Sequence, residues 1–550
     1  MRGFDRLEAD VLVIGGGGAG MRAALAAREV APRVALVSKG AIGKSGCTYL
    51  AEGGIVALSH ENNPEDGYEL FAADARRSGC DLAEPALLEP LAHESAERLS
   101  DLQKYGLQFR RREGGFYLRQ PPGHSAARAY STGERFGLSF SRALRDTVRE
   151  CDLLRLEGVM LTELLVNDGR VCGAVGFDLR SGRGQVISAA STVLAAGGAG
   201  RLYARTNNPR DVTGDGYALA YRAGAVLQDM EFVQFYPLMA FAPFPNLFVS
   251  TGMLREGAVL RNAAGERFML RREPEQGEYT TRDRLSRGIF LEVLEGQGID
   301  GGVALDLSEV PRLTLEENYP RLLKACAAKN VDLRKQWLLV SPSVHFFMGG
   351  VRIDAEGRSS LPGLYAAGEI CGGLHGANRL AGYALMETQV FGARAGRQAA
   401  CEALARGAAK EAPEVARAAL PRRERPRTGS AEEGAEIEAA ESRLRQLMWK
   451  NVGIVRSAES LQAALNEIHS LGAETLPRLR ATTRQQLRQL CELTNLLDVA
   501  TLVTTAALSR TESRGAHFRT DFPQRDDANW LCHVALTQEQ SQCVCTALPA

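Results

Sequence analysis

The first clear pattern in the chain is an apolar run over residues 9–14 that breaks at once into glycines, Val11-Leu-Val-Ile-Gly15-Gly16-Gly17-Gly18-Ala-Gly20. Unbroken apolar character over so short a stretch predicts a strand buried on both faces. Residues 21–30 are alanine-rich and helical in character, and 34–37 read as a second strand, so the chain opens as a βαβ unit. Residues 159–198 alternate in short β-like runs and end in Thr192-Val-Leu-Ala-Ala-Gly197-Gly198. A buried strand closing on glycines is either a second close approach to a ligand or a simple tight turn.

From about 236 to 345 the pattern becomes Pro-rich, aromatic and irregular, then helical around 284–294, which predicts an inserted domain. Residues 406–434, rich in Ala, Arg, Pro and Glu, read as a linker. Beyond it Leu461, Leu465 and Ile468, then Leu493, Leu497 and Ala500, recur at helical spacing. The expected organisation is a first domain in two parts, 1–235 and 345–405, interrupted by a domain over 236–344. The linker 406–434, a helical domain over 435–515 and a tail over 516–550 follow. A chain of 550 residues exceeds what one core supports, so several domains are required.

Charge is balanced, with 66 basic and 66 acidic residues. No pervasive basic field points to nucleic acid, so small molecules or protein partners are favoured. The longest apolar runs fall far short of the roughly 20 residues of a membrane span. The first apolar stretch is already a strand, which argues against a signal peptide. The 11 cysteines include no C-x-x-C pair, so neither a zinc nor an iron–sulfur ligand set is evident and free thiols in a reducing compartment are expected. Cys543-x-Cys545 is read as part of a loose terminus rather than a redox pair.

A strand running into Gly15-x-Gly17-x-x-Gly20 is a dinucleotide signal, because bare backbone approaches a pyrophosphate at a helix N-terminus. The acidic residue usual after the second strand is absent; Ser38-Lys39 stand there. That disfavours NAD and suits a flavin dinucleotide, with Glu369 of Leu364-Tyr-Ala-Ala-Gly368-Glu369 as a carboxylate from a distant segment. Two further motifs are basic: Ser343-Val-His345-Phe-Phe-Met-Gly-Gly350 and His375-Gly-Ala-Asn-Arg379-Leu. Cations beside a nucleotide cofactor suggest redox chemistry on a small acid.

Taken together the motifs resemble the flavoprotein family that contains succinate dehydrogenase, fumarate reductase and L-aspartate oxidase. Besides those above, the resemblance rests on Ala51-Glu-Gly-Gly-Ile55, Thr213-Gly-Asp215-Gly, Glu231-Phe-Val-Gln-Phe, Arg282-Asp283, Met448-Trp-Lys-Asn-Val-Gly-Ile-Val-Arg456 and Glu512-Ser-Arg-Gly-Ala-His-Phe-Arg-Thr-Asp521. It implies an α/β fold: a Rossmann-like FAD-binding domain, an inserted α+β capping domain and a C-terminal helical domain. It assigns FAD contacts to Gly15, Gly17, Gly18, Ala19, Gly20 and Lys39, to Ser45, Gly46, Cys47, Thr48 and Gly53, and to Asp215, Glu369, Ala384 and Leu385. Arg282 matches the proton-delivering arginine, Arg379 the carboxylate anchor and His345 a second, cationic donor.

Three departures qualify that reading. Cys47 stands where relatives with covalent flavin carry histidine, so FAD is expected to be held non-covalently. Tyr236 replaces a histidine that holds the second carboxylate, and is expected to donate a hydrogen bond there beside Thr251. A carboxylate that feeds protons to the catalytic arginine is replaced by Gly252, with Glu256 nearest in sequence. The leading expectation is the flavoprotein subunit of a fumarate reductase or succinate dehydrogenase, working on a C4 dicarboxylate and partnered by an iron–sulfur electron-transfer subunit. It would be cytoplasmic, at most peripheral to the membrane through that partner. L-aspartate oxidase is the alternative, disfavoured because Gln120-Pro121-Pro122-Gly123-His124-Ser125 offers no carboxylate for a substrate ammonium. A reductase of another 2-enoate is a third reading.

Overall fold

In the computed structural model the described residues are 4–58, 63–112, 115–133, 135–241, 243–244, 246–407, 431–539 and 542–549. The expected βαβ start is present: strand Phe4–Ile14, helix Gly18–Arg28 and strand Val34–Ser38. These strands lie parallel and central in a seven-stranded sheet. Strand Gly184–Leu194 pairs in parallel with Phe4–Ile14 along its length. On its other side it takes antiparallel Arg170–Asp178 first and then parallel Leu364–Ala366. The last of these carries the chain back to the first sheet after an excursion of more than a hundred residues.

The turn between the first strand and helix is possible only because its residues lack side chains. Gly15 has φ +121°, and a Cβ there would collide with the Ala195 carbonyl. The helix Gly18–Arg28 is buried almost end to end and lies against the long helix Tyr383–Arg406. Gly396 makes that contact close, since a Cβ on it would strike Ala23 backbone.

The irregular stretch forms a second sheet of five strands, Leu247–Phe248, Val233–Ala240, Leu338–Phe347, Val303–Asp306 and Val259–Arg261, all antiparallel. Its period is hidden in the sequence because the ladder slips in register between Tyr236 and Met239, around Pro237. Helix Arg282–Leu294 covers it, and residues such as Leu238, Leu260, Ile289 and Leu305 give it a separate core. The inserted body is therefore α+β.

Helices Ala431–Asn451, Ala458–Ser470 and Arg484–Ser509 form the C-terminal module, and Ser457 and Thr483 close capping boxes on the last two. Most of the expected linker lies outside the described residues. Helix Arg484–Ser509 is long and apolar enough to cross a membrane by length and composition, but 61% of its most apolar window is buried inside this fold. It sends Asn495 to Asp215 (2.8 Å), Asp498 to Arg222 (2.6 Å) and Glu492 to Lys39 (2.7 Å).

The tail departs from expectation. Strands Cys532–Glu539 and Gln542–Pro549 pair antiparallel as a β-hairpin, and the first of them also pairs with Leu227–Gln228. Cys543 and Cys545 therefore sit in a strand packed on the main core, not in a loose terminus. Long-range charge secures this end: His533 Nδ1 lies 2.5 Å from Asp229 across 304 residues of sequence. Arg510 meets Glu231 at 2.6 Å and Glu512 at 3.0 Å, all fully buried.

Burial disfavours a charged His533, but Asp229 and Glu84 outweigh it and raise its pKa above the usual 6.5. A raised folded-state pKa means the bond contributes fully below about pH 6.5 and is lost as pH climbs through the raised value. Amide exchange in the hairpin, corrected for intrinsic rate, should therefore accelerate on the alkaline side of neutrality. In His533→Gln the hairpin should exchange fast at every pH; a wild-type hairpin with flat corrected exchange would contradict the assignment.

Candidate active site

A cavity of about 1320 Å³ runs from the glycine turn of the first sheet to the face of the second. That exceeds the few hundred to 1,000 Å³ usual for one small ligand. Part of its wall is naked backbone. At Gly46, Gly53 and Gly197 a Cβ would meet nothing within 4 Å, and at Gly17 only the Thr48 hydroxyl at 3.7 Å. Each of these glycines lines the cavity, so main-chain groups face a ligand directly.

Of the residues expected at the cofactor, Gly15, Gly17, Gly18 and Ala19 line this wall, as do Ser45, Gly46, Cys47, Thr48 and Gly53. Glu369, Ala384 and Leu385 line it from the long-helix side. Gly20 is not on the wall: it packs against the Gly15 carbonyl, where any Cβ would clash. Its role is helix–strand closeness. Lys39 and Asp215 also line the cavity but hold each other at 2.6 Å, with Lys39 bonded as well to Thr213 and Glu492. Burial works against the Lys39 charge, and Asp215 and Glu492 more than restore it. Burial pushes the Cys47 thiol well up, and nearby Glu369 adds to this, so it stays protonated. Burial also raises Glu369 to about 7, against the Phe347 N–H that donates to it.

At the far end two guanidinium groups face the cavity with no ion pair among the described residues. Arg379 is 7% exposed. It donates to Gln234 Oε1 (2.9 Å) and the Leu380 carbonyl (3.3 Å), rests 4.3 Å over the Phe346 ring, and leaves Nε without a partner. Burial, then the charge of Arg282, lowers it to about 9. Arg282, the first residue of its helix, lies 5.1 Å over the Tyr236 ring; Nη1 is buried without a partner, and burial lowers its pKa too. The helix's N-terminal position raises the local positive potential further.

His345 is brought to the same end, but not as the cation the sequence suggested. Burial, Arg379 and Arg282 hold its pKa well below 6.5, so the ring is neutral. Asn208 Nδ2 donates to Asn207 Oδ1 (3.1 Å) and to the His345 carbonyl (3.0 Å). That turns the Asn207 amide nitrogen toward His345 Nδ1 at 3.0 Å. The Asn207 oxygen lies 3.2 Å from the same Nδ1, so this amide holds the neutral ring in place through either tautomer.

Tyr236 needs a second correction. Its hydroxyl gives its one proton to the Val249 carbonyl (2.9 Å) and accepts from Thr251 N–H (3.0 Å) and the Thr251 side chain. All its capacity is spent inside the protein, so it braces the 249–251 turn and offers the cavity a ring face rather than a hydrogen bond. Beside it, Gly252 faces the Tyr319 hydroxyl, which bonds Glu256. Glu256 lines the cavity and keeps Oε2 buried without a partner.

Sequence reasoning missed Asn207, Asn208, Gln234 and Asn378. Their signal was faint but present: amides placed inside or beside apolar strands, in Thr206-Asn-Asn-Pro209 and Val233-Gln-Phe235, and next to Arg379. Asn207→Asp would put a carboxylate against His345 Nδ1, draw a proton to it and raise the ring's pKa. Histidine side-chain ¹⁵N spectra should show one ring titrating at higher pH than in wild type. An unchanged set of histidine signals would exclude the Asn207 contact.

Comparison with known proteins places this geometry. A family described as FAD binding domain matches residues 10–385, and Fumarate reductase flavoprotein C-term matches 441–547. One of the subunits of the fumarate reductase (CoM/CoB) of Methanothermobacter marburgensis is 42% identical over 527 residues, 94% of this chain and 95% of that one. L-aspartate oxidase of Caulobacter vibrioides is 37% identical, covering 96% of both chains. Among solved structures, Mycobacterium smegmatis Sdh1 in complex with UQ1 superposes with TM-score 0.88 at 33% identity, over 99% of this chain and 95% of that one.

Proposed function

As a member of the fumarate reductase and succinate dehydrogenase flavoprotein family, this chain is an FAD-dependent oxidoreductase acting on CH–CH bonds, and we propose that it is the catalytic flavoprotein subunit of an enzyme whose substrate is a C4 dicarboxylate. The observation that carries the substrate is the pair of guanidinium groups without an ion pair among the described residues, Arg379 buried and Arg282 half-buried, each with a buried nitrogen that has no partner. Isolated buried cations are costly, and a dianion is what answers them.

The bare walls at Gly17, Gly46, Gly53 and Gly197 fit FAD, with Lys39, Thr48 and Glu369 as its polar neighbours. When bound, FAD supplies a hydride-exchanging centre; everything else is the work of side chains. Arg379 grips one carboxylate through its fork, and the neutral ring of His345 stands beside it without adding charge. That arrangement polarises the C=C bond next to the carboxylate. Arg282 stands ready to pass a proton to the substrate carbon. Burial lowers its pKa, which makes this guanidinium a stronger acid than one in water. Tyr236 holds the 249–251 turn, and Glu256, bonded to Tyr319, offers an acceptor without a partner on the same cavity wall.

FAD is held without a covalent bond in this reading, because Cys47, which stands where covalently flavinylated relatives carry histidine, is kept as a thiol. Acid precipitation should leave yellow colour in the supernatant; a coloured pellet would show a covalent link. In this reading electrons are exchanged with an iron–sulfur subunit docked on this one, a partner supported by the match of residues 441–547 to the Fumarate reductase flavoprotein C-term family. Any membrane association would run through that partner.

Purified protein should reduce fumarate with reduced viologen. Arg282→Ala should lose at least about 10³ of turnover yet keep the flavin spectral change on adding fumarate, whereas Arg379→Ala should lose the spectral change as well. Substantial activity in Arg282→Ala would move proton delivery elsewhere. L-aspartate oxidation with peroxide release, in place of fumarate reduction, would favour the alternative family activity.

A further inference from the structure

The groups that hold Arg379 are as informative as the arginine. Gln234 is fully buried in strand Val233–Ala240, and each end of its amide is committed. Arg379 Nη2 donates to Gln234 Oε1 at 2.9 Å. Gln234 Nε2 donates to Asn378 Oδ1 and to the Arg379 carbonyl, both at 2.9 Å. Asn378 Nδ2 donates to Asp283 Oδ1 at 2.9 Å. Asp283 follows Arg282 in the first turn of the helix on the second sheet.

The direction of this chain is not a matter of choice. A guanidinium only donates and a carboxylate only accepts, so with those two at its ends both amides are forced into one orientation. The order is Arg379 to Gln234 to Asn378 to Asp283. The nearest carboxylate in the network is thereby kept two amides away from Arg379, and the side chain that touches the guanidinium is neutral. Other buried arginines are held directly by acids, Arg128 by Asp66 and Asp74 and Arg510 by Glu231 and Glu512, whereas Arg456, away from the cavity, is held by carbonyls and His517.

We propose that Gln234 is the positioning residue that sets the charge selectivity of the site: it fixes Arg379, couples it through Asn378 to the helix start bearing Arg282, and leaves the positive charge for the substrate to neutralise. Glutamate has nearly the same shape and would accept the same hydrogen bond. It would also form an internal ion pair with Arg379 and take the place of a substrate carboxylate as its counter-ion. The amide provides orientation without compensation. Selectivity for a doubly charged acid over a singly charged one then depends on a residue that need never touch the substrate.

This inference rests on the dicarboxylate reading above, and the test separates the two. Fumarate and its monocarboxylate analogue crotonate are titrated into oxidised, FAD-loaded wild type, Gln234→Glu and Gln234→Met, with affinity read by flavin absorbance and by calorimetry. Wild type should prefer fumarate. In Gln234→Glu that preference should fall about tenfold or more, because one desolvated charge contact is lost. Gln234→Met removes the hydrogen bonds but adds no charge, so it should weaken both ligands and keep their ratio.

Alkaline pH adds a second readout. The charged and titratable groups around Arg379 are Arg282, His345, Glu369 and Glu387. Fumarate affinity in wild type should decline as pH rises through about 9, where Arg379 loses its proton. The carboxylate in Gln234→Glu stabilises the cation, so that decline should move to higher pH even though affinity at neutral pH is lower. A folded, FAD-loaded Gln234→Glu with the wild-type fumarate-to-crotonate ratio and the wild-type alkaline limb would overturn the proposal. Wild type that binds neither acid would overturn the dicarboxylate reading itself, and this inference with it.

Discussion

Moving a guanidinium out of water costs several kcal/mol unless another charge answers it, and this protein leaves two such groups unanswered at one end of one cavity. Much of the surrounding structure is arranged to make that tolerable. Arg379 is stacked on Phe346 and Arg282 on Tyr236, so aromatic faces take up part of the field. Amides and carbonyls take up hydrogen bonds. Burial lowers both guanidinium groups and the charge of Arg282 lowers Arg379 further; burial and then these two cations keep His345 from joining them as a third. The imidazole is neutral because it is desolvated, and the neighbouring positive charge reinforces that.

The frame that imposes this rigidity comes from both sheets. Strands Val233–Ala240 and Leu338–Phe347 are neighbours in the second sheet and deliver Gln234, Tyr236 and His345. Arg379 arrives on the loop that precedes the long helix packed on the first helix of the chain, and Arg282 on the helix covering the second sheet. The hydrogen bond from Asn378 to Asp283 joins the two bodies next to both arginines. Any motion of the inserted body relative to the first must therefore change the distance between the charges, not only the access of solvent.

What the sequence made legible was whatever is specified locally. The strand, glycine turn and helix of residues 4–28 follow from a run of apolar residues and a spacing of glycines that no other backbone permits, and the helical periods near 461 and 493 follow from 3.6-residue packing. The five-stranded sheet was obscured by the slip in register around Pro237. The C-terminal hairpin was invisible because its reasons lie elsewhere: it pairs with residues 227–228, and His533 answers Asp229. At the site, residue type suggested cations correctly for Arg282 and Arg379 but not for His345, whose charge is decided by neighbours far away in the chain. Tyr236 looked like a donor because the sequence cannot show that Val249 and Thr251 have already claimed its hydroxyl.

Lys39, on the cofactor wall, is held by Glu492, 453 residues later in the chain. Asp215, its other partner, is itself steadied by Asn495 from the same late helix. On a ribosome that has made the first sheet but not this helix, Lys39 has one carboxylate rather than two, and Asp215 lacks its amide. This part of the cavity wall is thus complete only once residues 492–495 are in place. A chain shortened before residue 492 would leave Lys39 with one carboxylate and Asp215 without its amide.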